Sequence, residues 1–212
     1  MTLDLDEIKR VSKQALYDLV EHELLEALCW SRVRDVEFIY DTHPEKFCVN
    51  TVLRARGSYK VYDSYALNIV GYDSPSIQML EFLVGCGANI EARDEYGYTP
   101  LIIAAQCANQ EMVDFLIKRG VDVNAPGSDG IPPICQTACV EVVQLLLNAG
   151  ADVEAMIGET GSSVLEYIEQ NCQPHKPEIP ELVVKHLAKL EKTRLEASIV
   201  SPTGKPSKTH KL

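Results

Sequence analysis

The chain has 212 residues, of which 46% are hydrophobic and 24% charged, a balance that suits one repeat array or one to two globular domains. Its formal net charge of −11 argues against nucleic acid as a partner, because proteins that bind the phosphate backbone usually present a basic face. No apolar run reaches the roughly 20 residues that a membrane-spanning helix needs, so we expect no membrane partner either.

The seven cysteines indicate a reducing compartment. Their number is odd and no C-x-x-C pair occurs, which is typical of free thiols rather than of a disulfide framework. The first six residues, MTLDLD, do not look like a secretory leader. We therefore expect a soluble protein of the cytoplasm, or of a host cell's cytoplasm if it is a delivered effector.

The first third of the chain carries the weaker signals. Apolar residues at helical spacing predict a lead-in helix within residues 1–20, and residues 21–30 and 33–40 look like a helix pair. Tyr40 and Val84 are 44 residues apart, whereas Val84 and Ile117 are 33 apart. The excess predicts an extended finger or insert at 47–63.

Three similar segments follow, at residues 78–90, 111–123 and 141–153. Each predicts an amphipathic helix that ends at a glycine and continues into a short extended stretch. The glycines, Gly87, Gly120 and Gly150, are 33 and 30 residues apart. A period of this length indicates stacked helical repeats, and a single helical bundle would not explain it.

The segment 94–105, DEYGYTPLIIAA, precedes the middle helix. Asp94 to Gly97 predicts a turn. Thr99 can cap a helix, and Pro100 then occupies the first helical position, where its missing N–H has no effect. The small Ala104 and Ala105 allow neighbouring helices to approach closely.

The later units depart from this pattern. Seventeen residues separate Pro133 from Gly150, against twenty between Pro100 and Gly120, so the first helix of the fourth unit should be short. A fifth unit should end in a helix that runs from Pro180 to about Lys192. The basic, apolar-poor tail at 191–212 predicts disorder.

This arrangement resembles the ankyrin repeat, whose D-x-x-G-x-T-P-L-x-x-A-A and G-x-D-V-N-A patterns occur here at 94–105 and 120–125. The resemblance implies an all-α helical-repeat solenoid with short hairpin or turn fingers. The implied organisation is a lead-in helix, five repeats within 21–190, and a tail. Its boundaries are 1–20, 21–52, 57–90, 91–123, 124–153, 154–190 and 191–212.

In that family, partners usually dock on the turn tips and on the exposed side of the first helices. Carried onto this chain, the partner-binding positions are Glu95, Tyr96, Tyr98, Gln106, Ser128, Asp129 and Ile131. Tyr96 and Tyr98 are the best anchors, since tyrosine is common among binding hot spots. The alternative is that Tyr98 packs on an adjacent hairpin.

The resemblance implies an intracellular protein–protein interaction module (adaptor, inhibitor or effector) rather than an enzyme. Residues 91–155 hold ten acidic and three basic residues, which favours a protein partner with a basic patch. We expect a monomer without cofactor or metal, because no nucleotide, hydrolase or zinc motif occurs. Asn124 is expected to hydrogen-bond within its turn.

Two other functions remain open. Cys48 or Cys172, in irregular segments, could serve a cysteine-dependent enzyme on the repeat scaffold. Cys107, Cys135 and Cys139 lie on or beside repeat helices and are expected in the core. The chain could also be a structural scaffold that self-associates through its end helix.

Overall fold

The computed structural model describes residues 24, 27–28, 32–42, 50, 53–56, 61–72, 76–158, 161–171 and 177–200. The predicted lead-in helix lies outside them. The α-helices of this part of the chain are α1 (Val33–Thr42), α2 (Ala66–Gly71), α3 (Ile77–Gly85), α4 (Pro100–Gln106), α5 (Gln110–Lys118), α6 (Val140–Asn148), α7 (Val164–Asn171) and α8 (Glu178–Val200). A 3₁₀ helix covers Pro133–Cys135, and the strands are β1 (Leu53–Arg56), β2 (Val61–Ser64), β3 (Met156–Ile157) and β4 (Ser162–Ser163).

The helices form two layers in chain order, which confirms the predicted repeat stack. In the inner layer, α2 contacts α4, α4 contacts the 3₁₀ helix, and that helix contacts α7. In the outer layer, α1, α3, α5, α6 and α8 contact one another in succession. Each helix pair thus shares its apolar faces with the pairs before and after it, as a solenoid requires.

Polar side chains at the helix starts explain where α3, α4 and α5 begin. The Oγ of Ser76 accepts from Met79 N at 3.2 Å, and the Oγ1 of Thr99 accepts from Ile102 N at 3.3 Å. Asn109 caps α5 in the same way, with Oδ1 3.0 Å from Met112 N. The predicted Thr99 cap with Pro100 at the first turn is confirmed.

The core runs continuously through both layers. Leu101, Ala104 and Ala105 of α4 are fully or almost fully buried, as are Met112 and Leu116 of α5. The two alanines occupy little volume, so the neighbouring helices come close to α4. After α5 the chain reverses at Gly120, which has φ +80°, the left-handed conformation predicted there.

The predicted insert at 47–63 contains a β-hairpin. β1 and β2 pair antiparallel with Leu53 opposite Ser64 and Arg56 opposite Val61. The side chain of Asn50, just before it, donates from Nδ2 to Gly87 O at 2.9 Å and accepts from Asn89 N at 2.7 Å. The start of the insert is therefore attached to the turn after α3.

The fourth repeat has the short inner helix that its length predicts. Only Pro133–Cys135 is helical, and it is a 3₁₀ helix, whereas α4 has seven residues at the corresponding place. The first two residues, Pro133 and Ile134, are buried and keep the contact with the core. The shortened unit thus preserves its packing and loses the last turn.

The last helix is longer than predicted, since it was expected to end at about Lys192, with the disordered tail beginning at residue 191. α8 continues to Val200, because residues 181–200 contain no glycine or proline and are rich in helix formers. The rest of the predicted tail, at 201–212, lies outside the described residues. Ile179 and Val183 are buried, while residues 188–196 are exposed, so the second half of α8 extends beyond its packed first turns. In the described segments, no helix combines the length and the hydropathy needed to cross a membrane.

Candidate functional site

The loop of the third repeat, residues 92–99, is organised by the buried carboxylate of Asp94. Its Oδ1 accepts from the backbone N–H of Tyr96 at 3.0 Å and from that of Tyr98 at 2.8 Å. The N–H of Gly97 donates to Asp94 O at 2.9 Å, and Gly97 adopts φ +73°. These bonds close a tight turn with Glu95 and Tyr96 at its exposed tip.

Hydrogen bonds to the repeats before and after it hold this turn from both sides. Asn68, buried in α2, donates from Nδ2 to Tyr98 O at 3.0 Å and to Ala92 O at 3.3 Å. Tyr72 donates its hydroxyl to Asp94 Oδ2 at 3.4 Å. On the other side, Arg93 Nη1 donates to Gly97 O at 2.8 Å and to Pro126 O at 2.6 Å.

A polar network joins the third turn to the fourth. The hydroxyl of Tyr98 donates to Asp129 Oδ2 at 3.4 Å, and Gln136 Nε2 donates to the same oxygen at 3.0 Å. Gln106, at the end of α4, donates from Nε2 to Gln136 Oε1 at 3.1 Å. The exposed ends of the inner helices and the two turn tips therefore form one continuous surface, which we call the turn face and define by Glu95, Tyr96, Tyr98, Gln106, Asp129 and Gln136.

The structure brings most of the predicted binding positions together on or beside the turn face. Glu95, Tyr96, Gln106, Ser128 and Asp129 are exposed. Whether they contact a partner stays a prediction.

Tyr98 and Ile131 are only half-exposed. The ring of Tyr98 lies against Gly127, where an added Cβ would be 2.8 Å from it, so this tyrosine packs on the adjacent hairpin as the alternative interpretation held. Ile131 packs partly against the core. Tyr96, which is 44% exposed, is thus the more accessible ring.

The carboxylates of the turn face act on both tyrosines. The negative charge of Glu95 is the main reason that the pKa of Tyr96 lies above its ordinary value. The pKa of Tyr98 is raised first by partial burial and then by the charge of Asp129, while a hydrogen bond with Gln106 opposes the rise. Both phenols consequently stay neutral at physiological pH and can donate hydrogen bonds.

Sequence reasoning missed Gln136, which belongs to the turn face, and Asn68, which is buried and supports the turn. Gln136 lies 30 residues after Gln106, the same interval that separates Gly120 from Gly150, so the shortened period could have identified it. Asn68 could not be found in this way, because its partners are backbone carbonyls whose positions only the fold reveals. It is the third residue of α2, the place that Ile102 occupies in α4.

The cysteines and Asn124 have mixed outcomes. Cys135 and Cys139 pack partly against the core, but Cys107 is exposed, because it follows the last residue of α4. Cys48 and Cys172 lie outside the described residues. Asn124 was expected to bond within its own turn, but its side chain joins the turn after α6, where it donates from Nδ2 to Gly150 O at 3.3 Å and accepts from Asp152 N at 2.8 Å.

Comparison with known proteins agrees with this architecture. Residues 65–157 match the model of the ankyrin repeat family, in three copies. The match covers α2 to β3 and therefore includes the whole turn face.

Individual proteins are similar to parts of this chain. An ankyrin repeat protein of fowlpox virus is 29% identical over 121 residues, which are 55% of this chain and 36% of the viral protein. One of Acanthamoeba polyphaga mimivirus is 22% identical over 101 residues, 44% of this chain and 22% of that protein. The mouse ankyrin repeat, SAM and basic leucine zipper domain-containing protein 1 is 35% identical over 85 residues, 36% of this chain and 18% of the mouse protein. The chain thus spans well under half the length of each of these relatives.

Proposed function

We propose that this chain binds another protein through the turn face, because its residues 65–157 are ankyrin repeats and such repeats are generally protein–protein interaction modules. One observation carries the proposal: a tyrosine that is 44% exposed lies at the tip of a turn that is hydrogen-bonded to both neighbouring repeats. An aromatic side chain on a rigid support loses little conformational freedom on binding, which favours its use as an anchor.

The charge of the repeats indicates the kind of protein that binds. Residues 91–155 carry a net charge of −7, from ten acidic and three basic residues. An acidic surface speeds association with a basic partner and disfavours acidic ones. We therefore expect a partner whose contact surface is basic, and an association rate that falls as salt is added.

The test compares the amount of partner captured by the intact chain with the amount captured by two variants. Each variant removes one exposed ring. Tyr96→Ala removes the exposed ring of the turn face. Phe38→Ala removes a ring that is 67% exposed on α1 in the outer layer and serves as the control. We expect the dissociation constant for the partner identified by capture to rise roughly tenfold or more for Tyr96→Ala, the size typical of a hot-spot aromatic, and to stay unchanged for Phe38→Ala.

Tyr98→Phe adds a second comparison, because it keeps the ring that packs on Gly127 and removes only the hydroxyl that reaches Asp129. We expect Tyr98→Phe to lower the affinity for the partner less than Tyr96→Ala does. Equal partner affinity for the intact chain and Tyr96→Ala, with both proteins folded by circular dichroism, would remove the turn face from consideration.

Self-association is a second candidate, supported by the apolar side chains that α8 exposes. Val184 is 49% exposed and Leu195 is 64% exposed, and both lie on α8. Sedimentation at several protein concentrations separates the two functions. A monomer throughout would exclude the scaffold, whereas a dimer lost in Val184→Ser plus Leu195→Ser would favour it.

A further inference from the structure

The turn face carries negative charge without a cation of its own. The two segments that form it, 94–110 and 127–140, contain Asp94, Glu95 and Asp129 and no lysine, arginine or histidine. The nearest cation in sequence, Arg93, uses its Nη1 to bond the carbonyls of Gly97 and Pro126 at the base of the turns. The carboxylates at the tips are therefore not neutralised by a basic residue within these segments.

Two aromatic rings lie between these carboxylates. The ring centroids of Tyr96 and Tyr98 are 6.2 Å apart and the rings are inclined by 36°. Glu95 is adjacent to Tyr96, and Asp129 accepts from the hydroxyl of Tyr98. A flat cation that spans both rings would thus meet a carboxylate at each end, Glu95 beside Tyr96 and Asp129 at the hydroxyl of Tyr98.

We propose that the partner places an arginine side chain on Tyr96 and Tyr98, with its guanidinium held by Glu95 and Asp129. This assignment rests on the proposed function and names the group that the turn face recognises. The negative faces of the rings attract a cation, and the carboxylates accept its N–H groups.

Arginine suits this surface better than lysine for a geometric reason. The guanidinium is planar and weakly hydrated, so it can stack on a ring while its edge donates to a carboxylate. The ammonium of lysine is a compact, strongly hydrated charge that gains less from a ring face. The network of Gln106, Gln136 and Asp129 fixes one of the two carboxylates before the partner arrives, which reduces the entropy lost on binding.

The test uses amino-acid derivatives as probes and needs no knowledge of the partner. Protein labelled with ¹³C in the tyrosine rings is titrated with N-acetyl-arginine amide, with the lysine derivative, and with the citrulline derivative, which has the shape of arginine without its charge. The Tyr96 and Tyr98 signals are assigned with Tyr96→Phe and Tyr98→Phe. The ring signals of Tyr40, which is 38% exposed on α1, serve as the internal control.

We expect arginine to move the signals of Tyr96 and Tyr98 progressively and to leave Tyr40 in place. Lysine should bind roughly two- to fivefold more weakly, the difference expected for an exposed cation–π contact, and citrulline should have no effect. Glu95→Gln plus Asp129→Asn should weaken the arginine response. The fold of the turn should survive this change, because the amide oxygen introduced at position 129 can still accept from Ile131 N as the carboxylate does now.

Three results would overturn the arginine assignment. The Tyr96 and Tyr98 signals could shift equally with arginine and with citrulline, the Tyr40 signal could shift as much as theirs, or no signal could shift. These outcomes are separate from a failure of the proposed function. If Tyr96→Ala no longer binds the partner but arginine does not shift the tyrosine signals, the turn face binds a group of the partner other than arginine. If Tyr96→Ala keeps full affinity for the partner, the proposed function itself fails.

Discussion

Gly97 shows how one residue fixes the geometry of the turn face. Its φ of +73° lies in the left-handed region, and a Cβ added there would overlap the Oγ of Ser128 and lie 3.0 Å from both Ser128 Cβ and Ser128 N. Rotation of the serine hydroxyl relieves only the first of these contacts. The spacing of Asp94 and Gly97 predicted the turn. It could not predict that a side chain at position 97 would collide with Ser128, because Ser128 belongs to the next repeat.

We expect Gly97→Ala to lower the free energy of unfolding by roughly 2–4 kcal/mol, from backbone strain together with overpacking against Ser128. Gly120→Ala is the matched control, because Gly120 has φ +80° and nothing lies within 4 Å of its added Cβ. It should lose only about 1–2 kcal/mol. Urea unfolding of both variants measures the difference, and equal losses would show that the contact with Ser128 is easily relieved.

Among the elements, those whose sequence matched the period were predicted well and those held by distant contacts were not. α4 and α5 could be placed because Thr99, Pro100 and Gly120 mark their ends. The shortness of the inner helix in the fourth repeat followed from the three residues that this repeat lacks, although its 3₁₀ form was not predicted. The β-hairpin within the insert was expected only as an extended finger, since its pairing depends on strands without a strong alternating pattern.

α2 illustrates why the support of the candidate site escaped the sequence. A buried asparagine is an unfavourable residue in a helix, and its purpose becomes clear only when Ala92 O and Tyr98 O are found beside it. Asn68 Oδ1 has no hydrogen-bond partner among the described residues. The cost of burying this oxygen offsets part of the stabilisation that the two hydrogen bonds from Nδ2 provide.

These opposing effects give Asn68→Leu an unusual expected result. The equivalent third residue of α4 is Ile102, which is fully buried and has the same volume as leucine, so α2 should still pack, and the free energy of unfolding should change by only about 1 kcal/mol. Residues 92–98 should nevertheless become more mobile, because two hydrogen bonds from α2 are lost. Hydrogen exchange checks this: faster exchange in 92–98 is expected, with 126–132 as the unchanged reference. Unaltered exchange in both loops would mean that Asp94 alone maintains the turn.

At the scale of the whole molecule, single side chains form hydrogen bonds between the turn after one outer-layer helix and the turn after the next. Asn50 bonds the backbone at Gly87 and Asn89, Glu91 accepts from Asp122 N at 2.7 Å, and Asn124 bonds the backbone at Gly150 and Asp152. A chain of nearest-neighbour ties of this kind makes stability a sum of local terms.

Asn124→Ala should therefore weaken only the contact between the turn after α5 and the turn after α6. We expect a loss of roughly 1–2 kcal/mol for two exposed hydrogen bonds, together with faster hydrogen exchange in 150–155. Asp114→Ala is the control, because it removes a surface ion pair with Lys118 that should contribute under about 1 kcal/mol. Exchange that accelerates equally in 87–92 would show that the repeats unfold as one unit.

The exposed turn tips have a consequence for how such a chain can change over generations. Glu95 and Tyr96 direct their side chains to solvent, while the shape of their loop is set by Asp94, Gly97 and backbone groups. Replacing these two side chains consequently leaves the interior intact. Under the proposed function, a few substitutions at this tip would change the partner over generations while the repeat architecture persists.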